Sequence, residues 1–252
     1  MPRLSVLLPP NRPPRELAQT ARYIEAAGLD GVWVADHLRG EMHFVPPWYG
    51  MVASLATIAC ECSTLRFGPL VAGMPLRPAA TLRIELATLE ALAPGRLLAA
   101  IGSGSSSDAA TTGLVRGTAS ELATYVAEVR SGGLEALVAG SVAGAIRTAA
   151  EVGSGWVTAG KRRGGVREGR EEVALIQEVT ASRQLYEAAG GAGPCLFLVD
   201  ADEGSPWASA AAMTRTLELW GGIGFDEVVV FSPETYEAPS TLSYADAAEL
   251  AR

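Results

Sequence analysis

Short apolar runs alternate with longer amphipathic stretches along this chain, and the alternation repeats eight times. Leu4–Leu8, Gly31–Ala35, Leu65–Val71, Arg96–Ile101, Leu134–Ala139, Gly155–Ala159, Cys195–Val199 and Glu227–Phe231 read as strands. Several are continuously apolar, the pattern of strands covered on both faces. The stretches between them read as helices. The first begins at Pro13-Pro14, where the missing N–H of proline costs nothing, places Leu17, Ala21 and Ile24 on one face, and stops at Gly28 as a left-handed cap. The second turns Val52, Leu55, Ile58 and Ala59 inward; the third turns in Leu82, Leu86 and Leu89 and ends before Pro94-Gly95. The fourth starts near Thr118, in a capping box with Glu121, and buries Leu122, Tyr125, Val126 and Val129. Gly140-Ser141 opens the fifth, with Val142, Ile146 and Ala149 inward and Gly153 as the stop. A long charged helix runs from about Arg170 to Ala189, Ser205-Pro206 caps a seventh that reaches Trp220, and an eighth spans Tyr244 to Ala251. The third strand holds Gly68-Pro69; a proline inside a strand removes a ladder donor and predicts an edge or a bulge.

Eight β-then-α units predict an α/β fold, a single (β/α)8 TIM barrel with short loops. No low-complexity linker divides the chain, so one domain covering residues 1–252 is expected. The rival is an open doubly wound sheet. The even strand count and the lack of a dinucleotide fingerprint after the first strand disfavour it. A barrel of this kind works at the C-terminal ends of its strands. That turns the strand reading into a list of rim residues: Asp36-His37, Leu70-Val71, Gly102 to Ser105, Gly140-Ser141, Thr158 to Lys161, and Asp200.

Composition narrows the function. The 252 residues are 48% hydrophobic and 19% charged, with a formal net charge of −8. An acidic chain releases no counterions along a nucleic-acid backbone, so a small-molecule enzyme or binding module is expected. No apolar run approaches the ~18 residues of a membrane span, and the N-terminus opens directly on a strand without a signal-like segment; a cytoplasmic location follows as an expectation. The three cysteines, Cys60, Cys62 and Cys195, have no framework spacing and read as reduced thiols. Cys60-Glu61-Cys62 offers half a metal site, and no second Cys/His pair completes it. No metal is expected. There is no His-Glu-x-x-His, no Walker loop and no nucleophile elbow in the right context, so hydrolase readings are weak.

The stretch Gly31-Val32-Trp33-Val34-Ala35-Asp36-His37 carries the strongest chemical signal. A buried strand that ends on Asp-His delivers a carboxylate and an imidazole to the rim, and the chain has only two histidines. His37 can act as a general acid or base near neutral pH or donate to a ring carbonyl; the bland alternative is a rim histidine satisfied by a neighbouring loop. Asp36 can orient His37 or accept from a ring N–H, or simply cap the strand end. Gly102-Ser103-Gly104-Ser105 exposes backbone N–H groups suited to an oxyanion or phosphate, and Gly140-Ser141 does the same at a helix start. Lys161, Arg162 and Arg163 put three positive charges after the sixth strand, where they hold an anionic tail or form a solvated basic loop.

These residues resemble the luciferase-like monooxygenase superfamily, which includes flavin-dependent monooxygenases and oxidoreductases that use the deazaflavin coenzyme F420. Four stretches carry the likeness: Ala26 through His37; Leu65-Arg66-Phe67-Gly68 with Pro75-Leu76-Arg77-Pro78; Thr88-Leu89-Glu90 through Gly95-Arg96-Leu97 to Gly104; and Ala149-Ala150-Glu151 through Gly155 to Gly160. The resemblance implies a barrel with a flavin or deazaflavin ring at its mouth. Asp-His at the end of the second strand looks like the F420 branch, with His37 moving a proton coupled to hydride transfer and Asp36 contacting the ring. It implies a non-proline cis peptide behind the ring at about Leu70-Val71, Ser103 and Gly104 approaching the ring or its side chain, and Gly140, Ser141 and Val142 holding the phosphate. Thr158 and Lys161 match positions that bind an anionic substrate group in some members. Two departures count against the substrate of the sugar-phosphate dehydrogenases: Ser105 stands where they have an acid, and the tryptophan expected shortly after the histidine is replaced near Glu41. The usual long insertion before the fifth strand is much reduced.

Three functions remain in play. The first is hydride transfer between a small organic substrate and F420. The second is an FMN-dependent monooxygenase supplied with reduced flavin by a partner reductase, which needs a dry pocket. The third is a non-catalytic flavin-binding homologue. A homodimer is expected by family likeness alone, and the apolar loop from Met42 to Trp48 would serve as its interface or as a pocket wall.

Overall fold

The computed structural model describes residues 1–38, 47–105, 108–110, 113–160, 172–200, 205–236 and 240–252. Nine strand segments lie in one parallel sheet: β1 (Arg3–Leu8), β2 (Gly31–Val34), β3 (Arg66–Pro69), β4 (Ala72–Gly73), β5 (Ala99–Gly102), β6 (Ala136–Ala139), β7 (Gly155–Thr158), β8 (Cys195–Leu198) and β9 (Glu227–Phe231). Their spatial order is β3-β2-β1-β9-β8-β7-β6-β5-β4. The two ends of that order, β3 and β4, are consecutive pieces of one run of chain. The sheet therefore curls round on itself as a nearly closed TIM barrel.

The third strand changes partner halfway. β3 pairs with β2, Gly31 opposite Arg66 and Trp33 opposite Gly68, whereas β4 pairs with β5, Ala72 opposite Ile101. Between them the Leu70–Val71 peptide is cis. Phe67 bridges to Leu97, with its N–H on the Arg96 carbonyl at 3.0 Å and its carbonyl accepting from Leu98 at 3.0 Å. Gly68 makes this approach possible, because a Cβ there would lie 1.8 Å from the Leu98 carbonyl oxygen. The edge or bulge expected at Gly68-Pro69 is thus a change of partner inside a closing ring.

Helices α1 (Pro14–Ala27), α2 (Met51–Glu61), α3 (Ala79–Leu92), α4 (Ala119–Arg130), α5 (Ala143–Val152), α6 (Glu172–Ala188), α7 (Ala210–Gly222) and α8 (Tyr244–Leu250) pack outside the sheet. Their starts and stops follow local chemistry. Gly28 ends α1 at φ 87°, and Thr118 and Glu121 close a reciprocal capping box on α4. The seventh helix departs from expectation. Pro206–Ala208 forms a separate 3-10 turn, and Ser209 caps α7, its hydroxyl accepting from the Ala212 N–H at 3.1 Å. Ser205, the N-cap of the 3-10 turn, makes no side-chain cap hydrogen bond, whereas Ser209 satisfies one of the N–H groups that a helix start leaves without an intrahelical partner. Val142, expected inward, is the exposed N-cap of α5, at 61% accessibility.

Strand alternation sorts the core into two layers. Trp156 and Phe197 face the helices, where Trp156 stacks on Tyr186 (5.8 Å between centroids) and Phe197 on Trp220 (3.5 Å). Trp33, Gly31 and Ser5 face the barrel interior with Glu227, at the N-terminal end. Glu227 is fully buried there. It accepts from Trp33 Nε1 at 3.0 Å and from the Arg66 guanidinium. This charged plug closes the end of the barrel opposite the site.

Candidate functional site

Because every strand runs the same way, the segments after β2, β4, β5, β6 and β7 emerge at one mouth. His37 follows β2 there, and the turn after β5 reaches it. His37 Nδ1 lies 2.9 Å from Asp108 Oδ2, and the Leu38 N–H donates to Asp108 Oδ1 at 3.1 Å. The Asp108 side chain is 5% exposed and the imidazole 24%. Trp48 lies along the ring, 6.3 Å between centroids and tilted by 57°. A tryptophan from the far end of the intervening loop thus stands beside the histidine in space. Residues 39–46 of the preceding loop, including Glu41 and His43, lie outside the described residues.

Asp36 does not orient His37. Its carboxylate is taken up on the other side: Arg77 Nη1 donates to Oδ2 at 2.7 Å, Arg77 Nη2 to Oδ1 at 2.9 Å, and the Gly73 N–H to Oδ2 at 3.1 Å. Burial alone would lower the Arg77 pKa; the hydrogen bonds and charge of Asp36, with Glu85 3.5 Å away, outweigh it and hold the guanidinium charged. The Tyr125 hydroxyl donates to the Arg77 carbonyl at 2.9 Å, and burial pushes its pKa up to about 12. The pair ties the end of β2 to β4 and α3.

The centre of the mouth is lined by small residues. Leu70 is buried and Val71 half-buried. Gly102 lies against Val71; a Cβ on it would come within 2.9 Å of Val71 Cγ1. Gly104, at φ 99°, leaves room for Pro75, which a Cβ would meet at 2.7 Å. Ser103 accepts from Arg116 Nη2 at 3.2 Å through its hydroxyl and from the Gly117 N–H at 2.9 Å through its carbonyl.

A second cluster lies at the ends of β6 and β7. Ser141 Oγ is 2.9 Å from Thr158 Oγ1 and donates to the Gly160 carbonyl at 2.7 Å, while Thr158 Oγ1 accepts from the Gly160 N–H at 3.0 Å. Thr158 is 3% exposed and shares the face of Trp156, toward the helices. Gly140 accepts from Trp156 Nε1 through its carbonyl at 2.8 Å, and a Cβ on it would lie 2.5 Å from Ala145 Cβ. The N-cap of α5, Val142, offers no side-chain cap, so among the described residues no cap side chain takes up the N–H groups of its first turn. Lys161, Arg162 and Arg163 lie outside the described residues.

No group of three or more metal-ligating side chains occurs among the described residues, and none of their helices is long and apolar enough to cross a membrane. Cys60 is exposed and Cys62 buried, so the two point to different surroundings. Burial pushes the Cys62 thiol up to about 11 and the Cys195 thiol to about 12. Asp108 and Arg77 are the site residues that sequence reasoning missed. Asp108 is 71 positions from His37, and no spacing rule joins them; Arg77 stood in a motif with no partner assigned.

Comparison with known proteins bears on the family and the fold. The luciferase-like monooxygenase family matches residues 1–130, just over half of the chain. An F420-dependent glucose-6-phosphate dehydrogenase from Beutenbergia cavernae is 34% identical over 112 residues, which span 40% of this chain and 30% of that protein. Among solved structures, an F420-dependent secondary alcohol dehydrogenase in complex with an F420-acetone adduct superimposes with a TM-score of 0.78 at 13% identity, covering 99% of this chain and 98% of the other. A type II Baeyer-Villiger monooxygenase from Pseudomonas putida in complex with FMN gives 0.66 at 14% identity, covering 99% and 97%. At these identities the structural likeness establishes the barrel and nothing finer.

Proposed function

The chain belongs to the luciferase-like monooxygenase family, and from that premise we propose that it is an F420-dependent oxidoreductase moving a hydride between the deazaflavin and a small organic substrate. The observation that carries this reading is the meeting, at one mouth, of an imidazole backed by a buried carboxylate, a glycine-lined floor and an uncapped helix start. The choice of F420 over FMN draws on the relative from Beutenbergia cavernae, of which the aligned part is less than a third.

The residues present fit a planar ring with an anionic tail. Gly102 keeps Val71 at the mouth without a Cβ between them, which suits the flat face of a ring. Gly140 and the uncapped first turn of α5 suit phosphate oxygens, because a helix start presents N–H donors and a positive dipole end. When bound, a deazaflavin supplies a carbon that accepts or returns a hydride. His37 holds or takes the accompanying proton at Nε2, a general acid–base role suited to imidazole near neutral pH. Leu70 belongs to the buried core and Trp48 packs against that core, giving the mouth an apolar lining. Asp36 acts through Arg77 to hold the β2 end in place, and Thr158, turned toward the helices, acts through its contact with Ser141 rather than on the substrate directly; Ser103, Gly104, Ser141, Val142 and Lys161 complete the set proposed to surround cofactor and substrate.

Titration of the purified protein with F420 and separately with FMN, followed by fluorescence quenching, tests the reading. Saturable quenching with F420 and not with FMN is expected. Binding of FMN alone would move the chain to the monooxygenase branch with a reductase as partner, and binding of neither would leave a non-catalytic homologue.

A homodimer is proposed alongside. The exposed positions of α3 (Ala80, Thr81, Ile84, Ala87, Thr88, Ala91 and Leu92) carry no charge, unlike the outer faces of α1, α4 and α7. An uncharged helix face of this size suits a second copy of the chain.

A further inference from the structure

We propose that Asp108 is the positioning residue of His37: it fixes the imidazole as the Nδ1–H tautomer and leaves Nε2 as the nitrogen that exchanges the proton. The tautomer stands on the geometry; only the use made of Nε2 rests on the proposed function.

A carboxylate has acceptors and no donor. With Asp108 Oδ2 2.9 Å from Nδ1, the proton must sit on Nδ1. The other oxygen is also committed, accepting the Leu38 N–H at 3.1 Å. One carboxylate therefore grips two adjacent residues at once, the ring of His37 and the backbone that follows it. Both the ring and its peptide are fixed against rotation. Burial strengthens the grip, since Asp108 is 4% exposed and a desolvated carboxylate needs donors. Trp48 lies beside the ring, 6.3 Å between centroids. Asp36, the carboxylate next in sequence, cannot substitute, because Arg77 and Gly73 occupy it. Residues 108–110 are helical, and the Ala109 N–H bonds the Ser105 carbonyl at 3.2 Å, so the segment that delivers the carboxylate is itself braced. Imidazole in water modestly prefers the Nε2–H form. A charge-assisted hydrogen bond shifts such a balance by roughly tenfold or more.

The chain has two histidines, which makes the test direct. Nitrogen-15 NMR on the full-length protein with His43→Gln leaves one imidazole to observe, at a pH where it is neutral. The Nδ1–H pattern is expected. In Asp108→Ala the Nε2–H pattern should become the major form. Asp108→Asn, nearly isosteric, should move the same way: its single carbonyl oxygen accepts from only one of the two donors, and its NH2 then faces the other. Near-ultraviolet circular dichroism checks that both variants keep the fold. An Nε2–H ring in the parent, or an unchanged Nδ1–H ring in both folded variants, overturns the proposal. No cofactor enters this measurement, so failure of F420 binding and failure of the positioning role are read separately.

Discussion

Arg77 meets Asp36 edge to edge, two parallel hydrogen bonds at 2.7 and 2.9 Å, while the Gly73 N–H takes a third acceptor site on the same carboxylate. The arrangement joins the last residue but one of the β2 delivery segment to the piece of chain that carries Val71. A geometric change here would displace both His37 and the floor of the mouth.

Arg77→Met should therefore cost about 3 kcal/mol, because removing one partner leaves a buried carboxylate without its counter-charge. Urea unfolding measures it. In the double variant with Asp36→Asn much of the loss should return, since the orphaned charge is gone. Equal and additive losses would mean that the pair is not coupled.

Glu227 makes the opposite kind of prediction. It sits at the closed end of the barrel, bonded to Trp33 and Arg66. Glu227→Ala should lower stability by about 3 kcal/mol, leaving an indole N–H and a guanidinium unsatisfied. Cofactor affinity of the remaining folded protein should not change, because the N-terminal end of such a barrel serves stability.

Glu25 gives a pH signature. Burial would raise its pKa, but one of its oxygens accepts the N–H groups of Ser63, Thr64 and Leu65 and the Thr64 hydroxyl, and these lower it from its ordinary value of 4.5. A folded pKa below the unfolded one contributes stability that is complete above 4.5 and disappears as pH falls through the depressed range. Glu25→Gln should thus be less stable than the parent at pH 7, with the gap closing on acidification. A gap independent of pH would contradict the role of the ionised carboxylate.

Ile84 is 61% exposed on the uncharged face of α3. Ile84→Glu should convert the proposed dimer to a monomer, read by sedimentation velocity, because it places two like charges across a self-paired surface. A parent that sediments as a monomer removes the dimer.

The barrel was legible because each strand is a short apolar run and each helix carries its own stop, as Gly28 and the Thr118–Glu121 box show. The third strand was legible only as an interruption. Gly68 announces a close approach, but its partner, the Leu98 carbonyl, is set by tertiary packing. The same limit explains the site. His37 could be placed at the rim from the end of β2, whereas the carboxylate on its ring comes from a different loop 71 positions away, and the nearer Asp36 was the natural but mistaken candidate for that bond. The seventh helix shows a local error of another kind: Ser205-Pro206 has the composition of a helix start, and the chain spends it on a 3-10 turn before Ser209.

The central claim is that a deazaflavin ring sits at the C-terminal mouth, and it is tested most directly by F420 affinity in two variants at opposite ends of the barrel. Gly102→Val pushes side-chain carbon into the space beside Val71, whose Cγ1 a Cβ would approach to 2.9 Å; Glu227→Gln perturbs the closed end. Fluorescence titration should show F420 bound by the parent, bound equally by Glu227→Gln, and bound at least roughly tenfold more weakly by Gly102→Val, the cost of forcing carbon into a packed contact. Undiminished binding by folded Gly102→Val, or no binding by the parent, would contradict the account.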